Sequence, residues 1–166
     1  MRIEPWGTDD QGLLEQLVGD PAMMEHLGGP ESTQKIAERQ VKYAKPDSGM
    51  FKIVDVSSGS GCGSVGFWER DWRGRRVYEV GWSVLPSFQG RGIAVAATRL
   101  ILARARETGE HRFVHAFPSI DNPASNAICR RLGFTLLEVC RFEYPPGNWM
   151  HCNDWQLDLA ATIAAR

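Results

Sequence analysis

The sequence lacks the features that mark membrane-spanning, secreted and nucleic-acid-binding proteins. Its 166 residues carry a formal net charge of −1, so no basic field recruits nucleic acid. The apolar runs are too short to cross a bilayer, and the first six residues lack the basic and apolar pattern of a signal peptide. We therefore expect a cytoplasmic protein with no nucleic-acid or membrane partner, and the length predicts one domain over residues 1–166.

Two nucleotide-binding motifs and the usual metal-ligand spacings are also missing. There is no G-x-x-x-x-G-K-S/T, no G-x-G-x-x-G and no C-x-x-C. The four cysteines are widely spaced, which favours free thiols in a reducing compartment. His111 and His115 flank a strand-like run, an arrangement that does not favour zinc, so we predict no metal site.

What the sequence does contain is a hydrophobic fraction of 43% and a regular alternation of strand and helix patterns. Seven strands are predicted, at residues 2–5, 50–56, 63–69, 76–84, 112–117, 134–142 and 152–159. Strands two to four read as an antiparallel meander, and the helix Ile93–Glu107 between the fourth and fifth strands implies a parallel pair. Asp20 is expected to begin a short helix that runs to Leu27, and Asn122 to cap a helix that ends at Gly133. The fold class is therefore α+β with a mixed sheet.

A glycine turn lies between the fourth strand and the long helix. It consists of Gln89, Gly90, Arg91 and Gly92, and the helix begins at Ile93. A helix N-terminus presents unpaired backbone N–H groups and the positive end of the helix dipole, which together attract phosphate-type anions. The alternative is a plain connection in which the glycines only permit positive φ. A short glycine motif alone does not decide between the two.

Glu79 and Gly81 lie in the fourth strand, on the face opposite Tyr78, Val80 and Trp82. Glutamate is depleted in strands, so Glu79 is either a solvent-facing residue or a general base. A glycine within a strand often marks a bulge or a place where a ligand approaches the backbone.

Three stretches together resemble one enzyme family. Gln89–Ala94 fits the Q/R-x-x-G-x-G/A signature of the GNAT acetyltransferases. The run Asn122–Asn126, followed by Leu132–Phe134, is similar to the second cofactor-side helix of that family. Glu79–Val84 resembles the subgroup of ribosomal-protein alanine acetyltransferases, the RimJ/RimL type. The motif-bearing match covers about residues 76–134.

The resemblance implies a fold and a donor. The fold is a seven-stranded, mostly antiparallel sheet with helices on both faces and a splay between strands four and five, and acetyl-CoA lies in that splay. The implied contacts to the pantetheine arm are the backbone of Trp82, Ser83 and Val84, with Asn122 and Ser125 beside it. The implied pyrophosphate region comprises Gln89, Gly90, Arg91, Gly92, Ile93, Ala94 and Val95.

Amine acetylation needs a base, an oxyanion donor and an acid. Glu79 is our candidate base, and direct transfer in a ternary complex is the usual route of the family. Many relatives carry Tyr seven residues after the position that matches Asn122, and this chain has Cys129 there. Ser125 and Tyr144 are the candidate acids instead, with Cys129 as a third and weaker donor.

We therefore predict an acetyl-CoA-dependent N-acetyltransferase that acts on a primary amine, either a protein N-terminus or a small molecule. The alternative is a non-catalytic acyl-CoA-binding or sensing module of the same fold, which the replacement of tyrosine by Cys129 favours. Exposed strands at the C-terminal end are candidate edges for pairing two copies in a homodimer.

Overall fold

The computed structural model describes residues 1–161 of the chain. Within this part there are four α-helices and seven strands. In chain order they are β1 (Arg2–Pro5), α1 (Gln11–Val18), α2 (Thr33–Tyr43), β2 (Met50–Val54), β3 (Gly61–Trp72), β4 (Arg75–Val84), α3 (Ile93–Thr108), β5 (Phe113–Ala116), α4 (Pro123–Arg131), β6 (Thr135–Glu143) and β7 (Trp149–Asp158). Over residues 1–161, no helix has both the length and the apolar character that a bilayer crossing requires.

The strands form one mixed sheet in the order β1-β2-β3-β4-β5-β7-β6. Strands β1 to β4 are antiparallel, β4 and β5 are parallel, and the β5-β7 and β7-β6 pairs are antiparallel. The α+β class, the seven strands, the meander and the parallel pair are therefore confirmed. The hairpin between β3 and β4 is longer than predicted because Arg73 and Gly74 both take positive φ and close a tight turn.

Helices cover both faces of the sheet. One core joins α3 and α4 to the sheet, with Ile101 and Val114 fully buried in it. A second core lies under α1 and α2 and contains Leu14 and Ile36, and a small third one lies on β6 and β7 around Phe142. Alternate residues of a strand serve opposite cores: Ile53 belongs to the first and Met50 to the second. Glu79 therefore lies on the face away from α3, because its neighbour Tyr78 belongs to the α3 core.

The predicted helix from Asp20 to Leu27 is wrong. This segment is a series of turns. The Asp20 carboxylate does accept from the N–H groups of Ala22 and Met23, as a capping residue would. The chain then folds inward to bury Met24, and tertiary packing of this side chain outweighs local helix propensity.

The burial of residues on α3 differs at one position from the pattern that its sequence periodicity predicts. The spacing of Ile93, Ala97, Leu100 and Ile101 predicts one buried face of α3, and three of the four are buried, but Leu100 is 44% exposed. The buried face of α3 also includes Thr98, whose hydroxyl donates to the carbonyl of Ala94 at 2.7 Å and so needs no other partner.

Candidate active site

A gap opens in the sheet where β4 and β5 separate. Their parallel pairing is limited to Tyr78 with Val114 and Glu79 with His115. Beyond Glu79, the remaining residues of β4 pair only with β3. The backbone edge of β4 from Val80 to Val84 therefore faces an opening rather than another strand, as the predicted splay requires.

The register shows which backbone groups face this opening. Leu85 donates to the carbonyl of Cys62 in β3, so alternate residues of β4 bond to β3 and the others point away from it. By this alternation the backbone of Ser83 points to β3, and those of Trp82 and Val84 point into the gap. The Gln89 side chain donates to the carbonyl of Val84 at 2.8 Å and so braces the turn against the strand. Of the three predicted pantetheine contacts, Trp82 and Val84 thus have the suitable backbone direction.

The glycine turn leads directly from this gap into α3. Gly90 and Gly92 both have φ of 74°, and Gly92 is the N-cap of the helix. No N–H group at positions 90–95 donates to a backbone carbonyl in the described part of the chain. Six donors at the positive end of a helix of 16 residues suit a phosphate-type anion. The Arg91 guanidinium folds back onto the carbonyl of Ser87, 2.9 Å away, so the turn offers mainly backbone donors.

Glu79 lies at the inner end of the gap, at the last position where β4 still pairs with β5. It is 9% exposed, which contradicts the solvent-facing interpretation. Trp68 Nε1 donates to Glu79 Oε2 at 3.1 Å, and Arg70 Nε donates to the same oxygen. Burial raises the pKa of Glu79 above its ordinary value, while the charge and hydrogen bond of Arg70 act in the opposite direction.

The other carboxylate oxygen of Glu79 is free. Oε1 accepts no hydrogen bond from residues 1–161. No buried side-chain oxygen or nitrogen in this range lacks a partner, so Oε1 must be open to solvent. One oxygen of the carboxylate is thus anchored and the other is available for a proton or a substrate donor.

Gly81 has a steric reason to be glycine. A Cβ added at this position would lie 2.9 Å from Cη2 of Trp68. The outer edge of the Trp68 indole therefore lies against the strand at Gly81. A glycine at this position predicts a bulge or a ligand contact, and the close approach that the structure shows is that of the Trp68 ring.

A buried histidine–aspartate pair neighbours Glu79 and was missed from the sequence. His115 Nδ1 lies 2.6 Å from Asp154 Oδ1, and both side chains are almost fully buried. Trp72 Nε1 donates to the second oxygen of Asp154 at 2.9 Å, and Gln156 Nε2 lies 3.1 Å from His115 Nε2. The four residues come from three strands, so only the register of the whole sheet could have revealed the pair.

The helix α4 holds two predicted cofactor residues. Asn122 Oδ1 accepts from the N–H of Ser125 at 3.0 Å, so the Asn122 side-chain oxygen caps the helix. Ser125 is half-buried in the first turn. Cys129 is fully buried in the α3 core, and burial raises the pKa of its thiol to about 12. A thiol with no exposed surface has no open path to a departing thiolate, which leaves Ser125 and Tyr144 as candidates.

Tyr144 belongs to a second polar network, which in the described part of the chain shares no hydrogen bond with the network around Glu79. Its hydroxyl accepts from Arg39 Nη2 at 3.0 Å, and Arg39 also pairs with Glu31 and donates to Tyr43. Burial raises the pKa of Tyr144, and the nearby Arg39 charge lowers it. No hydrogen bond within residues 1–161 joins Tyr144 or Ser125 to Glu79.

The loop that follows Tyr144 contacts the turn segment before α2. A Cβ at Gly28 would lie 2.8 Å from Cδ of Pro145 and 3.0 Å from Nδ2 of Asn148. The segment around Gly28 and the loop after Tyr144 therefore touch at this position. One group of potential metal ligands, Glu69, Glu110 and His111, lies outside this region, and the prediction of no metal stays a prediction.

A sheet that opens between two parallel strands beside a glycine turn is the predicted fold, and comparison with known proteins agrees. Residues 1–135 match the family model described as the acetyltransferase (GNAT) domain. Many solved structures share the fold. Among them, the yncA structure from Salmonella typhimurium with its cofactor acetyl-CoA has a TM-score of 0.77 and 20% identity, covering 100% of this chain and 98% of that one.

A second is a ribosomal-protein-alanine N-acetyltransferase from Brucella melitensis, with a TM-score of 0.76 and 20% identity over 95% of this chain and 99% of that one. A third is a spermidine N-acetyltransferase from Vibrio cholerae in complex with CoA and spermine, with a TM-score of 0.78 and 15% identity over 96% and 95%. The chain belongs to the GNAT acetyltransferase family, and its class of activity is N-acetyl transfer. The predicted family is thereby confirmed.

Proposed function

We propose that this protein transfers the acetyl group of acetyl-CoA to a primary amine by direct attack in a ternary complex, with Glu79 as the base. The observation that carries the proposal is the half-anchored Glu79 carboxylate at the inner end of the gap. Trp68 and Arg70 hold Oε2, and Oε1 is open. A base positioned in this way contributes about 10²–10⁴-fold to a proton-transfer step.

The donor half of the proposal depends on unpaired backbone groups. The N–H groups of residues 90–95 are suited to the pyrophosphate, and the open edge at Trp82 and Val84 to the amides of the pantetheine arm. Acetyl-CoA, when bound, supplies the thioester. Gln89, Asn122 and Ile93 have structural roles in the turn, the α4 cap and the α3 core that keep this surface in place.

The acceptor half depends on side chains. Glu79 Oε1 takes a proton from the ammonium form of the acceptor, directly or through a water molecule, so that the nitrogen lone pair becomes free to attack. The N–H of Val84 points into the gap and is the candidate donor to the acyl oxygen as negative charge develops there. The new C–N bond replaces the C–S bond, the nitrogen loses its second proton to solvent, and the departing thiolate takes a proton from Ser125 or Tyr144.

The experiment that tests the function is thiol release from acetyl-CoA with a panel of primary amines. We expect release that depends on the amine, and a rise in melting temperature with CoA from mass action. CoA binding without thiol release for any amine would instead favour an acyl-CoA-binding module. No change in melting temperature with CoA would contradict the donor site itself.

The acceptor is a protein N-terminus or a small-molecule amine. Among the similar structures, one is named for a ribosomal protein and another holds spermine, so the relatives support both classes. The resemblance of Glu79–Val84 to the RimJ/RimL subgroup favours an N-terminus.

The homodimer stays a prediction. The outer strand β6 exposes Leu136, Leu137 and Val139, which gives two copies an apolar edge to share. Light scattering coupled to size exclusion would determine the mass in solution, and a monomer at high micromolar concentration would contradict the prediction.

A further inference from the structure

The Arg70 guanidinium is only partly used by the protein. Its Nε donates to Glu79 Oε2, while Nη1 and Nη2 make no hydrogen bond within residues 1–161. These nitrogens are open to solvent, because no buried side-chain nitrogen in that range lacks a partner, and the side chain is 30% exposed. The guanidinium carbon lies 4.7 Å from the ring centroid of Phe142 and 5.9 Å from that of Phe117. The two rings hold the group in place without occupying its edge donors.

Arg39 shows by contrast what a fully used arginine looks like here. Its Nε and Nη2 bond to Glu31, its Nη1 donates to Tyr43, and Nη2 also reaches Tyr144. Arg39 therefore ties α2 to the loop at Tyr144 and has a structural explanation. Arg70 has two outward donors for which the described chain offers no acceptor.

Arg70 and Glu79 are joined at one atom pair and lie on the same face of the sheet. The residues are diagonal neighbours on β3 and β4, since Trp68 is the direct partner of Glu79. Side by side, the pair offers an open carboxylate oxygen and two open guanidinium nitrogens. The first suits an ammonium or amine, and the second is the arrangement that binds a carboxylate with two parallel hydrogen bonds.

We propose that the acceptor is an α-amino acid or a close analogue, a small molecule whose free carboxylate lies beside its primary amine. Arg70 binds the carboxylate through Nη1 and Nη2, and Glu79 Oε1 receives the amine. The inference rests on the acetyl transfer proposed above and names its substrate class. The aromatic rings of Trp68, Phe117 and Phe142 next to this pair suit an apolar side chain.

Chemistry next to the amine distinguishes this acceptor from a protein N-terminus. A peptide carries a neutral amide carbonyl where a free amino acid carries a carboxylate. A site built to bind a charged group discriminates strongly against an analogue that lacks it, because its own donors are left unpaired. The preference should therefore be large and should depend on Arg70.

The test compares leucine, leucinamide, isoamylamine and a leucine-initiated tripeptide in the thiol-release assay. Rates are expressed per unprotonated amine, since the four amines differ in pKa. We expect kcat/KM for leucine to exceed that for each of the other three by about tenfold or more, as expected for one lost charged contact. In Arg70→Met the ratio of leucine to isoamylamine should fall by about the same factor, and Arg70→Lys should lie between.

The matched control is Arg99→Met, because Arg99 is an exposed arginine on α3. It should leave the leucine preference unchanged. Equal or faster acetylation of leucinamide or the tripeptide would overturn the inference and leave the proposed function standing, as would an unchanged ratio in a folded Arg70→Lys. The absence of thiol release with every amine tested would overturn both.

Discussion

The donor half of the site and the acceptor half differ in how the chain builds them. The donor half lies within one stretch, from Trp82 to Val95, and offers mainly backbone N–H groups. The acceptor half gathers side chains from β3, β4, β5 and β7, among them Arg70, Glu79, His115 and Asp154. A backbone site depends on local conformation, whereas a side-chain site depends on the register of the whole sheet.

This difference has an energetic counterpart. The donor turn is exposed and its glycines have open space around them, so it is sensitive mainly to backbone conformation. The acceptor half is buried and charged, and the removal of one partner leaves another polar group without a hydrogen bond. Changes in the two halves should therefore have different sizes and different readouts.

The largest loss of stability is expected for Asp154→Ala. The change removes the acceptor of both His115 Nδ1 and Trp72 Nε1, which are buried or partly buried. Unsatisfied buried donors cost about 1–3 kcal/mol each, so we expect a fall of about 2–6 kcal/mol in the free energy of unfolding. Urea denaturation measures it. The exposed Asp47→Ala is the control and should change stability by less than about 0.5 kcal/mol.

A smaller loss is expected for Gly81→Ala. The new methyl group would lie 2.9 Å from the Trp68 ring, and overpacking of this kind typically costs about 1–3 kcal/mol. The displaced ring should also weaken its hydrogen bond to Glu79 and lower kcat. Trp68→Phe removes the contacting atom. The double variant should therefore lose less stability than the sum of the losses in the two single variants. Strict additivity in this cycle would contradict the proposed contact.

In the donor half, Gly92→Ala should cost about 1–2 kcal/mol of stability, since φ of 74° strains any residue with a Cβ. It should also reduce the rise in melting temperature that CoA produces. The matched change is Gly12→Ala in α1, where there is open space and the backbone is helical. This change should instead stabilise by about 0.5–1 kcal/mol. Similar effects of the two substitutions would show that the turn does not need positive φ.

The pH dependence of kcat is expected to report on the acceptor half of the site and not on the donor half. Burial raises the pKa of Glu79, so kcat at saturating acceptor should fall as the pH drops through a value above that of an ordinary glutamate. Arg70 lowers this pKa, so Arg70→Met should move the acidic limb to higher pH. A limb that shifts to lower pH, or does not move, would show that another group titrates. The dissociation constant of CoA should not follow the pH dependence of kcat and should be the same in Arg70→Met.

The contrast between the halves also explains what could be predicted from the sequence. The turn at Gly90 and Gly92, the Asn122 cap and the strand around Glu79 are local patterns, and all three are present. The turns after Asp20 could not be predicted, because the burial of Met24 depends on distant residues. His115 and Asp154 are separated by 39 positions, and only the order β5-β7-β6 brings them together.

Glu79→Gln tests most directly whether the acceptor site is separate from the donor site, with thiol release and CoA affinity measured on the same preparation. We expect kcat to fall by about 10²-fold or more, because the base is lost, while the dissociation constant of CoA changes by less than about threefold. Glu107→Gln, at an exposed position on α3, is the control for both readouts. A Glu79→Gln enzyme with nearly full kcat, or one that no longer binds CoA, would contradict the separation of an acceptor side-chain site from a donor backbone site.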